Sequence, residues 1–318
     1  MDVRARKEPY PKYLYRAHIH GNVAPRFVDE DTGDFCDNFG SDLHRWTEWD
    51  AEAEISVPIC SLTEDLTTEG IFEELSNHLN KTRINVERQN SGEELFLSRF
   101  VSLSGDFRWT AQRICRDGRT ASDDEIPGLA LFETSVIASS GGYIWRVADM
   151  LAFIDNLKSK DSDNISSILR RWARNADEYV CWDLVPRHAL IAFVPLHDLT
   201  QQFDSREVAF LRSEFVNSTY LTDFRKCPLK RLCLEEYAER AAIFVRKIAS
   251  NFSPWTNVEQ LDINTFANWV LNPFEWGYNL AGLAEDLEER IIPGFEAEIR
   301  TAAKARLAKE GISRMKQS

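Results

Sequence analysis

Residues 176–193 read ADEYVCWDLVPRHALIAF, a sequence that predicts two strands joined by a turn. Its first part, Glu178–Trp182, is rich in aromatic and β-branched residues, which favours a strand. The sequence VPRH at 185–188 favours a turn, because proline fixes φ and lacks an amide donor. Ala189–Leu196 favours a second strand. A carboxyl-bearing residue, Glu178, therefore opens a strand–turn–strand unit.

Several stretches before this unit also favour strands. Tyr13–His20, YLYRAHIH, is rich in aromatic and aliphatic residues with polar ones between them. Leu95–Asp106 is predicted to be a strand that runs into a turn, and Leu129–Thr134 is predicted to be a buried strand. Tyr143–Leu157 is predicted to start as a strand and to continue as a helix. The first 200 residues therefore combine strands with helices.

Helical periodicity is clear at residues 63–80, where Thr63 or Thr67 is predicted to cap the helix. The apolar residues that share one face of it are Ile71, Phe72, Leu75 and Leu79. Residues 81–94 are polar and predict a loop, and Phe107–Cys115 predicts a short helix.

After Leu199 strand patterns stop and helical periodicity takes over. The predicted organisation is an α+β domain over residues 1–200 and a helical domain over residues 201–318. We expect the sheet of the first domain to be mixed but mainly antiparallel.

The chain carries 38 basic and 51 acidic side chains, a formal net charge of −13. This balance disfavours nucleic acid as a partner, because nucleic-acid binding needs a basic surface. Val28–Leu75 holds fifteen acidic residues and one basic residue, Arg45. Such a block is typical of a solvated face, and the alternative is an acidic surface for a partner or a metal.

The sequence predicts a cytoplasmic protein. No apolar run approaches the roughly 20 residues of a membrane span, and the start of the chain lacks the apolar region of a secretory signal. The six cysteines form no CxxC pair, so we expect reduced thiols and no zinc framework.

Familiar catalytic motifs are absent: the sequence contains no GxxxxGK[ST], GxGxxG, GxSxG or HExxH. His18 and His20 lie two residues apart and would share one strand face. A metal site needs three or four ligands, and no third ligand is evident. An ordinary polar strand face is the preferred interpretation, and no metal is expected.

Three polar features in a fixed order stand out instead. Arg16 lies inside the first predicted strand, and Ser102 and Ser104 end a middle strand in FVSLS. Glu178 opens a later strand that leads into the turn at 184–191, LVPRHALI.

This order resembles the Arg-Ser-Glu pattern of the ADP-ribosyltransferase fold, and the turn resembles that family's I-P-x-x-A-I turn. A more specific resemblance is to a group of uncharacterised fungal domains with an LHxW-like element, present here at Leu43–Trp46. The resemblance covers residues 13–198. It implies a split, mainly antiparallel sheet, with NAD as the substrate and a protein or small molecule as the acceptor.

The resemblance also implies roles for individual residues. A guanidinium binds a diphosphate with charge-assisted hydrogen bonds, so Arg16 would hold that part of NAD. Ser102 would bond the nicotinamide ribose and orient Glu178, whose carboxylate would stabilise the oxocarbenium-like ribose. Ser104 and the backbone of His20-Gly21 would complete the NAD site.

Two departures from the family pattern leave the acceptor open. The middle motif is Ser-Leu-Ser, and the residue two positions before Glu178 is Ala176, where arginine-modifying relatives carry Glu. Ala176 cannot activate an acceptor. Either the acceptor is unusual, or Asp177 serves in that role, or the site is degenerate. The alternative function is a catalytically inactive interaction or immunity-type module whose helical tail binds a partner.

Overall fold

A computed structural model describes residues 10–20, 39–40, 67–118, 121, 126–139, 143–156, 165–182, 184–204, 243, 245–251 and 301. The helices and strands of this part of the chain are, in order, β1 (Tyr13–His20), β2 (Phe39–Gly40), α1 (Thr68–Leu79), α2 (Lys81–Ser91), β3 (Phe100–Ser104), α3 (Phe107–Asp117), β4 (Ile126–Glu133), α4 (Thr134–Ser139), β5 (Ile144–Arg146), α5 (Val147–Asn156), α6 (Ser167–Asn175), β6 (Glu178–Trp182), β7 (Leu184–Val185), a 3-10 turn (Arg187–Ala189), β8 (Leu190–Pro195) and α7 (Leu196–Asp204).

The strands form a six-stranded sheet in the order β5-β6-β3-β1-β4-β8, and β2 and β7 form a separate pair. The pairs β3–β6, β5–β6, β4–β8 and β2–β7 are antiparallel. Helices and an antiparallel sheet alternate along the chain, which confirms the predicted α+β class. Likeness to the ADP-ribosyltransferase fold stays a prediction.

The chain divides into two compact units. The first unit comprises Met1–Leu14, Asn22–Gly105 and Glu133–Ala189, and the second comprises Tyr15–Gly21, Asp106–Phe132 and Leu190–Ser318. The first unit contains β3, β5 and β6, and the second contains most of β1 together with β4 and β8. The domain boundary near residue 200 stays a prediction.

The core of the first unit lies on one face of β3, β5 and β6. Aromatic rings on this face meet edge to face: Phe100 lies 5.1 Å from Trp182 and 6.0 Å from Trp145, measured between ring centroids. Helices α1 and α5 cover the face with buried apolar side chains, namely Ile71, Phe72, Leu75, Val147, Met150, Leu151 and Ile154. Burial of this apolar surface stabilises the unit.

Helix α1 begins as the sequence predicts. Thr67 is the N-cap, and its side chain accepts a hydrogen bond from the Gly70 amide at 3.0 Å. A cap of this kind satisfies one of the amides that a helix start leaves without a partner. Ile71, Phe72 and Leu75 are buried, as the periodicity requires.

The prediction of a loop over residues 81–94 is wrong, because α2 occupies most of that range. Helix α2 follows α1 after Asn80 and ends at Gly92, which has φ of 72°. None of its residues is buried. A helix without an apolar face has no periodicity in its sequence, and so the hydrophobic pattern could not reveal it.

The second unit has its own packing. Ring contacts join Tyr15 to Phe107 and His18 to Phe193. Residues 245–249 are helical and include the buried Val245, Ile248 and Ala249. This agrees with the helical periodicity that the sequence shows after Leu199. Residues 280–292 also show helical periodicity in the sequence, and they lie outside the described residues.

The remaining strand predictions agree with the structure. The predicted strands at the start of the chain, at 129–134 and at 178–182 are present, and β3 begins at Phe100 rather than at Leu95. The sequence patterns predict neither helix α4 nor helix α6. In the part of the chain that the structure describes, no helix has the length and apolar character needed to cross a membrane.

Candidate active site

The site lies where β3 ends and β6 begins. In the antiparallel register Ser104 pairs with Glu178 and Ser102 pairs with Val180. Because side chains alternate along a strand, Ser102, Ser104 and Glu178 lie on the same face as the aromatic core of the first unit. The apolar face thus gives way to polar side chains at one end.

Ser102 and Glu178 are in direct contact. The Ser102 hydroxyl donates a hydrogen bond to the Glu178 carboxylate, with Oγ and Oε1 3.0 Å apart. The two residues stand diagonally across neighbouring strands, a spacing that side chains on one face can bridge. This contact allows Ser102 to orient Glu178, and that role stays a prediction.

Ser104 bonds to the backbone. It is buried, and its hydroxyl donates a short hydrogen bond to the backbone oxygen of Ala176. This bond ties the end of β3 to the residues that precede β6. In this arrangement Ser104 secures the backbone next to Glu178, and its predicted contact with NAD stays a prediction.

His78, near the end of α1, extends the contact beyond Ser102. Its Nε2 lies 2.8 Å from Ser102 Oγ, and its Nδ1 lies 2.7 Å from Ser98 Oγ. The Ser98 oxygen also accepts the Phe100 amide at 3.0 Å. We call the connected side chains Ser98, His78, Ser102 and Glu178 the polar chain.

Glu178 has an unusual acidity. Burial raises the pKa of Glu178 from an ordinary value near 4.5 to about 7, and the hydrogen bond from Ser102 acts in the opposite direction. A carboxyl whose pKa lies near neutrality exchanges its proton at ordinary pH. Such groups are common where proteins perform acid–base or charge-stabilising chemistry, and structural burial also produces them.

The residue before Glu178 has a strained backbone. Asp177 has φ of 42°, in the left-handed region that non-glycine residues rarely adopt. Arg146 holds the Asp177 side chain through hydrogen bonds from its Nε and Nη2 atoms to Asp177 Oδ1, at 2.9 and 2.7 Å. The Asp177 carbonyl accepts the Gly105 amide at 2.9 Å. Strain of this kind is frequently found at functional sites.

Gly105 is required for this arrangement. A Cβ atom at position 105 would collide with the Asp177 carboxylate and would press on the Tyr179 ring. The turn after β3 and the turn before β6 are therefore closely packed against each other, which fixes the backbone immediately before Glu178.

The predicted site residues fall into two groups. Ser102, Ser104 and Glu178 come together in the first unit. Arg16 is half-buried on β1, within the second unit, and its joint placement with Glu178 stays a prediction. His20 ends β1, and Gly21 lies outside the described residues.

Sequence reasoning missed His78 and Ser98. One signal was present: His78 follows Ile71 and Leu75 at helical spacing, so it is a polar residue on the apolar face of α1. A polar side chain in that position needs a hydrogen-bond partner. The partner itself was not predictable, because Ser98 is twenty residues further along the chain.

Within the described ranges, no group of three or more His, Cys, Asp or Glu side chains is arranged to hold a metal ion. The chemistry available to the polar chain is that of a carboxylate held in place by a hydroxyl. Such a group can stabilise a developing positive charge or accept a proton.

Residues 10–199 match the model of a family described as a domain of unknown function, DUF7587. The match includes every residue of the polar chain. No curated protein and no solved structure matches the chain.

Proposed function

Because the chain belongs to the DUF7587 family, whose function is unknown, we propose its function from the site: it is an NAD-dependent ADP-ribosyltransferase-like enzyme. The observation that carries this proposal is the hydrogen bond from Ser102 to Glu178 at 3.0 Å. It places an oriented carboxylate at the meeting point of two strand ends. The resemblance of the strand sequences to the Arg-Ser-Glu pattern supports the same reading.

Glu178 is the group that acts on the ribose in this proposal. Cleavage of the bond between the ribose C1′ and nicotinamide develops positive charge on the sugar ring. The Glu178 carboxylate stabilises that charge and accepts a hydrogen bond from the ribose 2′-hydroxyl. The hydrogen bond from Ser102 keeps the carboxylate in place. Interactions that grow stronger in the transition state raise the turnover rate rather than the affinity for substrate.

The acceptor of ADP-ribose remains open in this proposal. Ala176 is 3 % exposed, so its side chain is not accessible to an acceptor. Asp177 retains a side-chain exposure of 34 % and keeps one carboxylate oxygen outside its contact with Arg146. Asp177 is therefore the better placed of the two residues to meet a protein or small-molecule acceptor.

The test compares nicotinamide release from NAD by the wild type and by Glu178→Gln, with and without cell extract as a source of acceptor. Gln is nearly isosteric with Glu but supplies no negative charge. We expect turnover to fall by about 10²–10³-fold, as for other groups that stabilise transition-state charge. The affinity for NAD, measured by calorimetry, should change little.

A matched control is Glu133→Gln. Glu133 also accepts a hydrogen bond from a serine hydroxyl, that of Ser135 at 2.9 Å; this bond is exposed to solvent, and Glu133 is a half-buried residue at the end of β4. This variant should keep wild-type turnover. If the wild type neither binds NAD nor releases nicotinamide under any condition, the transferase proposal fails and the interaction-module reading replaces it.

A further inference from the structure

We propose that His78 is a positioning residue of this site, which fixes the direction of the Ser102 hydroxyl and thereby the hydrogen bond that Glu178 receives. The effect on turnover rests on the proposed function. The hydrogen-bond order itself does not, because it is a property of the protein without any substrate.

The order of donors follows from Ser102. Its single hydroxyl proton is donated to Glu178 Oε1, so its oxygen accepts a hydrogen bond from His78 Nε2–H. A neutral imidazole that carries its proton at Nε2 accepts at Nδ1. The Ser98 hydroxyl therefore donates to His78 Nδ1 at 2.7 Å, while the Ser98 oxygen accepts a hydrogen bond from the Phe100 amide.

The same tautomer of His78 holds the Ser102 hydroxyl in this direction. His78 Nε2–H donates to Ser102 Oγ at 2.8 Å, which occupies that oxygen as an acceptor. The Ser102 hydroxyl proton then points away from the ring and toward Glu178 Oε1, 3.0 Å away. All three hydrogen bonds run in one direction and end on the carboxylate. Hydrogen bonds in such a chain polarise and strengthen one another.

The ring of His78 is held where this order requires it. It meets the Phe100 ring edge to face, with centroids 5.7 Å apart. One helical turn earlier, the Glu74 carboxylate accepts the Arg99 amide at 2.8 Å, which fixes α1 to the residue before β3. Glu74 and His78 lie on one side of α1 because they are four residues apart.

The opposite order is the competing arrangement. There Glu178 is a neutral acid that donates to Ser102, Ser102 donates to His78 Nε2, and His78 Nδ1–H donates to Ser98. The two orders place the ring proton on different nitrogens. Nitrogen-15 NMR of the His78 ring distinguishes them, and it needs no NAD.

The first measurement is this spectrum on the full wild-type chain at alkaline pH, where Glu178 is ionised. We expect a neutral ring with its proton on Nε2. A proton on Nδ1 would overturn the proposal, and so would a ring charged at both nitrogens. This result stands whether or not the protein acts on NAD.

The second measurement uses His78→Phe, which keeps the ring volume and removes both nitrogens, and His78→Gln, whose amide can donate near the Nε2 position. Without the donor from position 78 the Ser102 hydroxyl can rotate away from the carboxylate. Hydrogen bonding to the charged form favours that form, so we expect His78→Phe to raise the pKa of Glu178 by about half a unit or more. Carbon-13 NMR of the Glu178 carboxyl measures this.

In His78→Gln the pKa of Glu178 should return most of the way to its wild-type value. In Ser102→Ala the pKa of Glu178 should rise at least as far as in His78→Phe. His197→Phe is the control, because it makes the same substitution at an exposed histidine on α7. An unchanged Glu178 titration in His78→Phe would overturn the proposal.

In the nicotinamide-release assay His78→Phe should lower kcat about tenfold or more with KM for NAD within about twofold, and His78→Gln should recover most of the rate. A rise in KM alone would contradict a positioning role. If the wild type is inactive while the NMR results hold, the transferase proposal fails and the role of His78 stands.

Discussion

At the scale of single residues, the raised pKa of Glu178 makes stability depend on pH. The folded protein holds the Glu178 proton up to about pH 7, whereas the unfolded chain releases it near 4.5. The free-energy penalty for burying the Glu178 charge is absent below about pH 4.5. It grows as the pH rises from 4.5 to 7, and it is complete above about pH 7. We therefore expect stability to fall across this window, by about 3 kcal/mol from this one group.

Glu178→Gln should remove that slope, because glutamine does not titrate. Urea unfolding of the wild type and the variant at a series of pH values measures the difference. The variant should gain stability relative to the wild type as the pH rises, and Glu133→Gln should follow the wild type. Parallel curves for the wild type and Glu178→Gln would contradict the raised pKa.

Gly105 gives a second prediction at this scale. In Gly105→Ala the new methyl group collides with the Asp177 carboxylate, so we expect a loss of stability of about 1–3 kcal/mol, typical of overpacking. Asp177→Gly removes the colliding side chain, so the double variant should recover much of the loss. A double-mutant cycle followed by urea unfolding measures the coupling, and strictly additive effects would count against the close packing.

At the scale of elements, Asn85 connects α2 to the segment before β3. Its side chain accepts the Phe96 amide at 2.7 Å and donates to the Phe96 carbonyl at 3.3 Å. Asn85→Ala loses both bonds and should cost about 1–2 kcal/mol, because part-buried backbone groups are left without a side-chain partner. Hydrogen exchange at the Phe96 amide should become faster. The exposed Asn90, changed to Ala, is the control, and equal exchange in both variants would contradict this role.

The same elements show what sequence patterns can predict. Helix α1 was predictable because its buried face imposes a helical period on the sequence. Strand β6 was predictable from its aromatic and β-branched residues, which are buried. Helix α2 was not, because none of its residues is buried and it has no apolar face to mark it in the sequence. In the site, the pairing of Ser102 with Glu178 followed from the resemblance of the strands. The place of His78 depends on how α1 packs against β3, which no local pattern encodes.

At the scale of the whole molecule, residues beyond 200 contribute to the second unit. The Phe193 amide donates to the Asn251 carbonyl at 3.2 Å, and Lys247 forms an ion pair with Asp198 at 3.0 Å. Val245 and Ile248 are 0 % and 2 % exposed. These contacts join the helical residues near 248 to β8 and α7.

A chain that ends at residue 204 should therefore be less stable than the full chain. Loss of the buried Val245 and Ile248 alone should cost about 3 kcal/mol or more, at the usual value for burying such side chains. Thermal unfolding of both proteins measures this. Ile248→Ala in the full chain should cost about 2–4 kcal/mol and reports on the same contact. An unchanged unfolding midpoint after truncation would instead support an independent domain over residues 1–200.

The polar chain also affects which sequence positions should vary together among members of the family. Its four side chains form one unit, so a substitution at His78 removes a hydrogen-bond partner of both Ser98 and Ser102. Relatives should therefore keep or lose these positions together, because residues in contact tend to vary jointly. The spacing of a histidine near a helix end, a serine twenty residues later and another four beyond it would sort the family into members with and without this arrangement.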